Sequence, residues 1–286
     1  MLKKEWKGFL YCLPVFLFMV VMCFYPLFDV FRTSLYKGSL PDFVGLENYK
    51  TMFQDLKFYS SLKTTFYFAS LTVFFQLILG LIFASLLNQK IKFIALWRGL
   101  HFIPWVIPSA VAALVGLLIY QPATGLLSQI PSWMKIIDPK PSWLGNPSTA
   151  LIAIIIVGVW KFFPFFTLHI LAGMQNIPDE LYEAAALDGA NSWHKFFYLT
   201  IPHLRSTILT ICVFNLIWSS SRVFDLVWIM TEGGPIGASR VLPVYIYQQM
   251  FWGDNIGYAS AISIVFSLIL MGFTLIYIVG MRRIED

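Results

Sequence analysis

Hydrophobic positions in this chain fall in long unbroken runs rather than in stripes along one helix face. Crossing about 30 Å of hydrocarbon at about 1.5 Å per residue needs roughly 20 residues. Six runs reach that length, at about 9–31, 66–88, 100–120, 149–171, 207–229 and 258–281. The pattern predicts an all-α polytopic membrane protein with six transmembrane helices, residues 1–286 forming a single transmembrane domain. Pro104 and Pro108 in the third run and Pro164 in the fourth would break a soluble helix. In a membrane, neighbouring helices can re-satisfy the freed backbone, so kinks are expected there. The first run, Phe9 to Phe31, follows Lys3, Lys4 and Lys7 and shows no small-residue cleavage site. It is too long for a signal-peptide core and reads as a retained first helix.

Basic residues set the expected orientation. With the N-terminus inside, Lys3, Lys4, Lys7, Lys90, Lys92, Arg98, Lys195, Arg205, Arg282 and Arg283 fall in short cytoplasmic segments. Arg32, Lys37, Lys50, Lys57, Lys63, Lys135, Lys140 and Arg240 are spread over longer outer loops at about 32–65, 121–148 and 230–257. The higher basic density inside follows the usual charge bias, and an even number of spans returns the C-terminus to the same side.

One interhelical segment, 172–204, is polar enough to leave the membrane yet carries helix signals. Pro178 suits a first turn, Asp179 and Glu180 complement a positive helix end, and Gly189 supplies the left-handed residue that stops a helix. Asn191 or Ser192 can cap a second short helix, which Pro202 bounds. Ala184, Ala185 and Ala186 would leave a flat face for a partner surface.

The string Glu183-Ala184-Ala185 with Gly189 four residues on, followed by Ile201-Pro202, resembles the EAA loop of ABC importer permeases. Its fuller form, Tyr182 to Ala190, is similar to the carbohydrate-uptake branch of maltose, multiple-sugar and glycerol-phosphate permeases. Phe43-Val44-Gly45-Leu46-Glu47-Asn48-Tyr49, Met230-Thr231-Glu232-Gly233-Gly234-Pro235 and Gly257-Tyr258-Ala259-Ser260-Ala261 also resemble segments of that branch, the last two of its maltose-permease-F-like members. The overall build is closer to the compact glycerol-phosphate and multiple-sugar permeases than to maltose permease F with its extra helices and outer domain.

The resemblance implies a type I ABC importer permease fold and a subunit that moves a sugar, oligosaccharide or related polyol inward across a bacterial or archaeal cytoplasmic membrane. Implied partners are a second homologous permease in a heterodimer, two ABC ATPase subunits that bind ATP and Mg, and an extracytoplasmic solute-binding protein. It also implies that Glu183, Ala184, Ala185, Asp188 and Gly189 couple to the ATPase rather than catalyse. The chain itself is expected to hold no cofactor and no metal.

Composition agrees with lipid as part of the solvent: 58% of residues are hydrophobic and only 12% charged. The net charge of +5 is carried by loop residues, so it reads as a topology signal and not as a nucleic-acid surface. Cys12, Cys23 and Cys212 lie inside apolar runs without metal or disulfide spacing. No GxxxxGK[ST], GxSxG, HExxH or CxxC string occurs, and His101, His169, His194 and His203 are scattered. An enzyme is therefore not expected, and nucleotide would have to be bound by another chain.

Charges inside spans cost about 2.5–3.5 kcal/mol at the centre on insertion scales and so face cavities or partners. Lys161 lies mid-run in the fourth span, where a structural or gating role is expected. Asn215, Trp218, Ser219, Arg222 and Asp225 share one face of the fifth. Two readings of this face stand open. It lines the substrate path, with Trp218 stacking on a sugar, or Arg222 and Asp225 neutralise each other while Ser219 packs helices. The rival from another class is an ion-gradient-driven secondary transporter, which the loop at 172–204 and the lack of an evident inverted repeat argue against.

Overall fold

The computed structural model describes residues 2–38, 42–89, 91–126 and 142–285. Lys90, Lys135 and Lys140, together with much of the expected loop 121–148, lie outside the described residues. Every element named among the described residues is a helix. α1 is Leu2–Thr33, α2 Glu47–Gln54 and α3 Leu56–Leu87, and α3 starts well before the run expected at 66–88. There follow α4 (Ile94–His101), α5 (Ile103–Val106), α6 (Ser109–Ile119) and α7 (Ala150–Gln175). Next come α8 (Asp179–Leu187), α9 (Ser192–His203) and α10 (Arg205–Arg222). The chain closes with α11 (Phe224–Thr231), α12 (Leu242–Phe251) and α13 (Ile256–Glu285).

Among the described residues four helices, α1, α3, α7 and α13, are long and apolar enough to cross a membrane, and the total rises to as many as six if each of two bent pairs forms one span. The bent pairs are where the observed elements depart from straight runs. Residues Ile94–Val106 meet Ser109–Ile119 at 88°. Pro108 is the cause. It lacks an N–H and pushes the preceding residue out of the helical region, and Ile107 accordingly sits at φ −60, ψ 132. Residues Ser192–His203 meet Arg205–Arg222 at 66°, across Leu204. The run expected at 207–229 also divides, because α10 ends at Arg222 and α11 begins after Val223.

The chain separates into two compact units. One comprises Tyr59–Val244 and Gly272–Asp286. Its core is built on α7, the most buried of the long helices, whose residues Ile154, Phe166 and Ile170 are fully enclosed. Two close approaches fix the helix packing. A β-carbon at Gly80 of α3 would come within 2.6 Å of the Phe166 side chain, and one at Gly173 within 2.6 Å of the Leu204 side chain. Small residues at such points let backbones approach where lipid supplies no hydrophobic drive between helices.

The other unit comprises Met1–Phe58 and Tyr245–Met271. It is tied by polar groups. Asn48 Nδ2 donates to the carbonyls of Ser34 and Tyr36, each at 2.8 Å, and Ser34 Oγ lies 2.6 Å from Tyr49 Oη. The Asp55 carboxylate accepts from the hydroxyls of Tyr245 and Tyr258. A side chain at Gly257 would collide with the Tyr36 carbonyl oxygen. The segments Phe43–Tyr49 and Gly257–Ala261, far apart in sequence, thus belong to one structural knot.

Candidate functional site

The polar segment after α7 folds as two short helices joined by a turn that only glycine fits well. At the end of α8 the amide of Ala190 donates to Ala185 O at 2.9 Å and that of Gly189 to Ala186 O at 3.1 Å, the double bond of a Schellman stop. Gly189 sits at φ +81, and a β-carbon there would meet no atom within 4 Å, so backbone conformation and not space demands glycine. Pro178 takes the N-cap of α8, one place ahead of its first turn, and of the two candidate caps for α9 the structure uses Asn191, whose Oδ1 accepts from His194 N at 2.9 Å. Glu183, Ala184, Asp188 and Gly189 are exposed and Ala185 is half-buried. Leu187 beside them is 90% exposed, so α8 presents an uncovered face. Tyr182 turns the other way, its hydroxyl 2.9 Å from Thr200 Oγ1, a buried residue of α9.

Lys161 is only 3% exposed. Its ammonium donates to the carbonyls of Ile107 and Trp105, the latter at 3.4 Å, and lies 4.8 Å from the Phe162 ring centre. These are the carbonyls that the Pro108 break deprives of helical partners. A charge in the middle of one span and a broken backbone in another, each costly alone, satisfy each other.

The five residues expected on one face divide between α10 and α11 and do not act alike. Asn215 is 1% exposed and turns its amide to its own helix, Nδ2 donating to Ile211 O at 2.9 Å. Trp218, Ser219 and Arg222 line a narrow recess of about 10 Å³, room for one water molecule, with Phe68, Thr72, Gly158 and Phe162. Thr72 Oγ1 and, one turn along α3, Gln76 Oε1 are buried without a hydrogen-bond partner. Trp218 is held among rings, with centroid separations of 5.4 Å to Phe162, 5.8 Å to Phe165 and 5.9 Å to Phe214.

The Arg222–Asp225 pair, one of the two readings of this face, is not formed. Arg222 places its guanidinium 5.1 Å from the Trp218 ring centre, and both charged residues are exposed. The helix break explains this: Val223, at ψ −11, separates the end of α10 from α11, so the two no longer sit one regular turn apart.

Asp55, Tyr245, Thr72, Phe162 and Phe165 carry no motif in the sequence, and Tyr258 stands out there only within the string Gly257–Ala261. Asp55 and the tyrosines are distant in the chain and only the fold joins them. Thr72 and Gln76 did leave a signal, as polar residues inside an apolar run. Burial alone would raise the Asp55 carboxyl, but hydrogen bonds from Tyr245, Tyr258 and the amides of Lys57 and Phe58 outweigh it and hold it below the ordinary 3.8.

A family model described as the inner membrane component of binding-protein-dependent transport systems matches residues 76–285. The chain is 36% identical over 276 residues to the trehalose/maltose transport system permease protein MalF of Thermococcus litoralis, covering 95% of this chain and 92% of that one. It is 33% identical over 248 residues to the sulfoquinovosyl glycerol transport system permease protein SmoG of Agrobacterium fabrum, covering 87% and 80%. Among solved structures, a chain of a bacterial ABC transporter involved in the import of the acidic polysaccharide alginate superposes with a TM-score of 0.86 at 22% identity, over 99% of this chain and 98% of that one. That likeness carries the fold.

Proposed function

The chain belongs to the inner membrane components of binding-protein-dependent transport systems, and from that premise we propose that it is the permease subunit of an ATP-binding-cassette importer for a sugar, oligosaccharide or related polyol. The observation that carries the substrate class is the 36% identity to a trehalose/maltose permease across nearly the full length of both chains. In this reading α8 docks on a cytoplasmic ATPase through the exposed face of Glu183, Ala184, Ala185 and Asp188, and Gly189 sets the angle at which the helix leaves that surface. Two such ATPase subunits bind ATP and Mg, a second homologous permease completes the pathway, and an extracytoplasmic binding protein delivers the sugar. Both termini and the α8–α9 segment face the cytoplasm.

The geometry supports a route for the stroke. A shift of α8 pulls on α9 through the Tyr182–Thr200 bond. α9 is separated from α10 by Leu204 alone, and Leu204 is pressed against Gly173 of α7. Movement at the ATPase surface therefore reaches the base of the two helices that carry Lys161, Trp218 and Arg222. An ion-gradient transporter would have no use for an uncovered helix of this kind.

Co-purification tests the reading. The tagged chain, extracted in mild detergent from cells expressing its partner subunits, should bring down a stoichiometric ATPase. Replacing Glu183 and Asp188 by Lys together should lose the ATPase while the chain remains in the membrane. Recovery of the chain alone, or with an ATPase indifferent to those changes, would refute the proposal.

A further inference from the structure

The recess at Arg222 is one end of a longer track. On α7 the residues Phe162, Phe165 and His169 follow one another at helical spacing, and on α10 Ser206, Thr210, Phe214, Trp218 and Arg222 do the same. Phe165 and Phe214 bridge the two helices beside Trp218 and occupy the middle of the track. Beyond them, toward Ser206, lies a second and larger groove of about 420 Å³, lined by Phe165, His169, Ser206, Thr207, Thr210, Ile211 and Phe214. Small-molecule sites span roughly 300–1,000 Å³, so the groove has room for a saccharide unit.

Its polar groups are arranged and only partly used. Thr210 Oγ1 donates to Ser206 O at 2.8 Å and accepts from Tyr277 Oη at 2.8 Å. His169 Nδ1 lies 2.9 Å from Phe165 O, an acceptor, so Nδ1 carries the hydrogen and Nε2 is left for a ligand. His169, Ser206 and Thr210 are exposed. A cluster of a histidine and hydroxyls within spanning helices is ill suited to lipid and faces water or a polar partner. The flanking rings of Phe165 and Phe214 offer apolar faces of the kind that sugar C–H surfaces stack on.

We infer that this groove is a second saccharide subsite, in which His169, Ser206, Thr207 and Thr210 take sugar hydroxyls on the cytoplasmic side of an aromatic plug formed by Phe165, Phe214 and Trp218. The inference rests on the permease reading above and deepens it, because it divides the path into two polar stations with an apolar barrier between them. A sugar that has passed Arg222 meets hydroxyl partners again before it reaches the cytoplasm.

Cysteine protection tests this in the complete complex, reconstituted in nanodiscs without nucleotide. Cys12, Cys23 and Cys212 are first replaced by Ala, and Thr210→Cys, Ser206→Cys and Trp218→Cys are made singly. Each is treated with a membrane-impermeant methanethiosulfonate, alone and with glucose, maltose, trehalose or glycerol 3-phosphate in excess. Thr210→Cys and Ser206→Cys should both react, about tenfold faster than Trp218→Cys, the equivalent of about 1.4 kcal/mol of barrier. At least one probe sugar should slow them several-fold while leaving an exposed Ser192→Cys control unchanged. Assembly of each variant is checked by the retained ATPase, and agreement between the two positions guards against a local fold defect.

Equal rates at Thr210→Cys and Trp218→Cys would overturn the plug. Lack of protection by all four probes would overturn the subsite. Failure of the permease reading shows separately, as a wild-type complex whose ATP hydrolysis ignores every sugar-loaded binding protein. Lost protection with intact stimulation sinks the subsite alone.

Discussion

The middle of α7 and the far end of α10 each carry a cation in a membrane-spanning stretch, and the structure treats the two in opposite ways. Lys161 is 3% exposed and spends its donors on two carbonyls freed by Pro108. Arg222 is exposed, lies over Trp218 and has no ion pair with Asp225. One charge is consumed by the architecture and the other is left available. Burial together with the fate of nearby backbone groups separates them, whereas charge and membrane depth do not.

The contrast breaks most visibly at Lys161. Lys161→Met leaves two part-buried carbonyls without their donor, at up to about 3 kcal/mol each, and should reduce recovery of the folded complex. Size-exclusion chromatography and thermal unfolding in detergent read this directly. Wild-type stability in Lys161→Met would mean that the ammonium does not hold the broken helix.

Gly189→Val comes next. A β-branched residue in a left-handed conformation costs roughly 1–2 kcal/mol, which the chain can avoid by re-aiming α8. Membrane insertion should persist while sugar-stimulated ATP hydrolysis falls by an order of magnitude or more. A fully coupled Gly189→Val complex would show that this turn does not set docking.

Asp55 sharpens the contrast from the anionic side, as a carboxylate whose partners all donate to it. Because its pKa is depressed on folding, its contribution is present above the ordinary 3.8 and is lost as pH falls below that value. Thermal stability should therefore drop on acidification below about pH 4, with a smaller drop in Asp55→Asn, which cannot titrate. Identical acid profiles would refute the depressed carboxyl. The smallest effect concerns Arg222→Leu and Asp225→Leu. With no ion pair, the two should add to within about 0.5 kcal/mol in unfolding free energy. A coupling well above that would restore the pairing.

Much of the fold was legible in hydrophobic run length, since lipid thickness forces helices of known size. The α8 stop was legible too, because a left-handed turn restricts residue choice to glycine. The angles at Pro108 and Leu204 were not, since a proline announces a break without giving its direction. Lys161 exposed itself as a buried charge, but its partners lie more than fifty residues away in sequence and only packing reveals them. The pairing of Arg222 with Asp225 fails because the helix is not regular through Val223. His169 read as one scattered histidine until α7 and α10 were placed side by side.

The most direct test of the central claim is uptake by the whole system. The chain, its partner permease, the ATPase and a purified binding protein are reconstituted in proteoliposomes, and accumulation of radiolabelled trehalose, maltose and related sugars is followed with and without ATP. Accumulation of at least one sugar that requires ATP, the binding protein and this chain together, and that persists when ion gradients are collapsed, is the predicted result. Uptake that survives without ATP and follows an imposed ion gradient would contradict it.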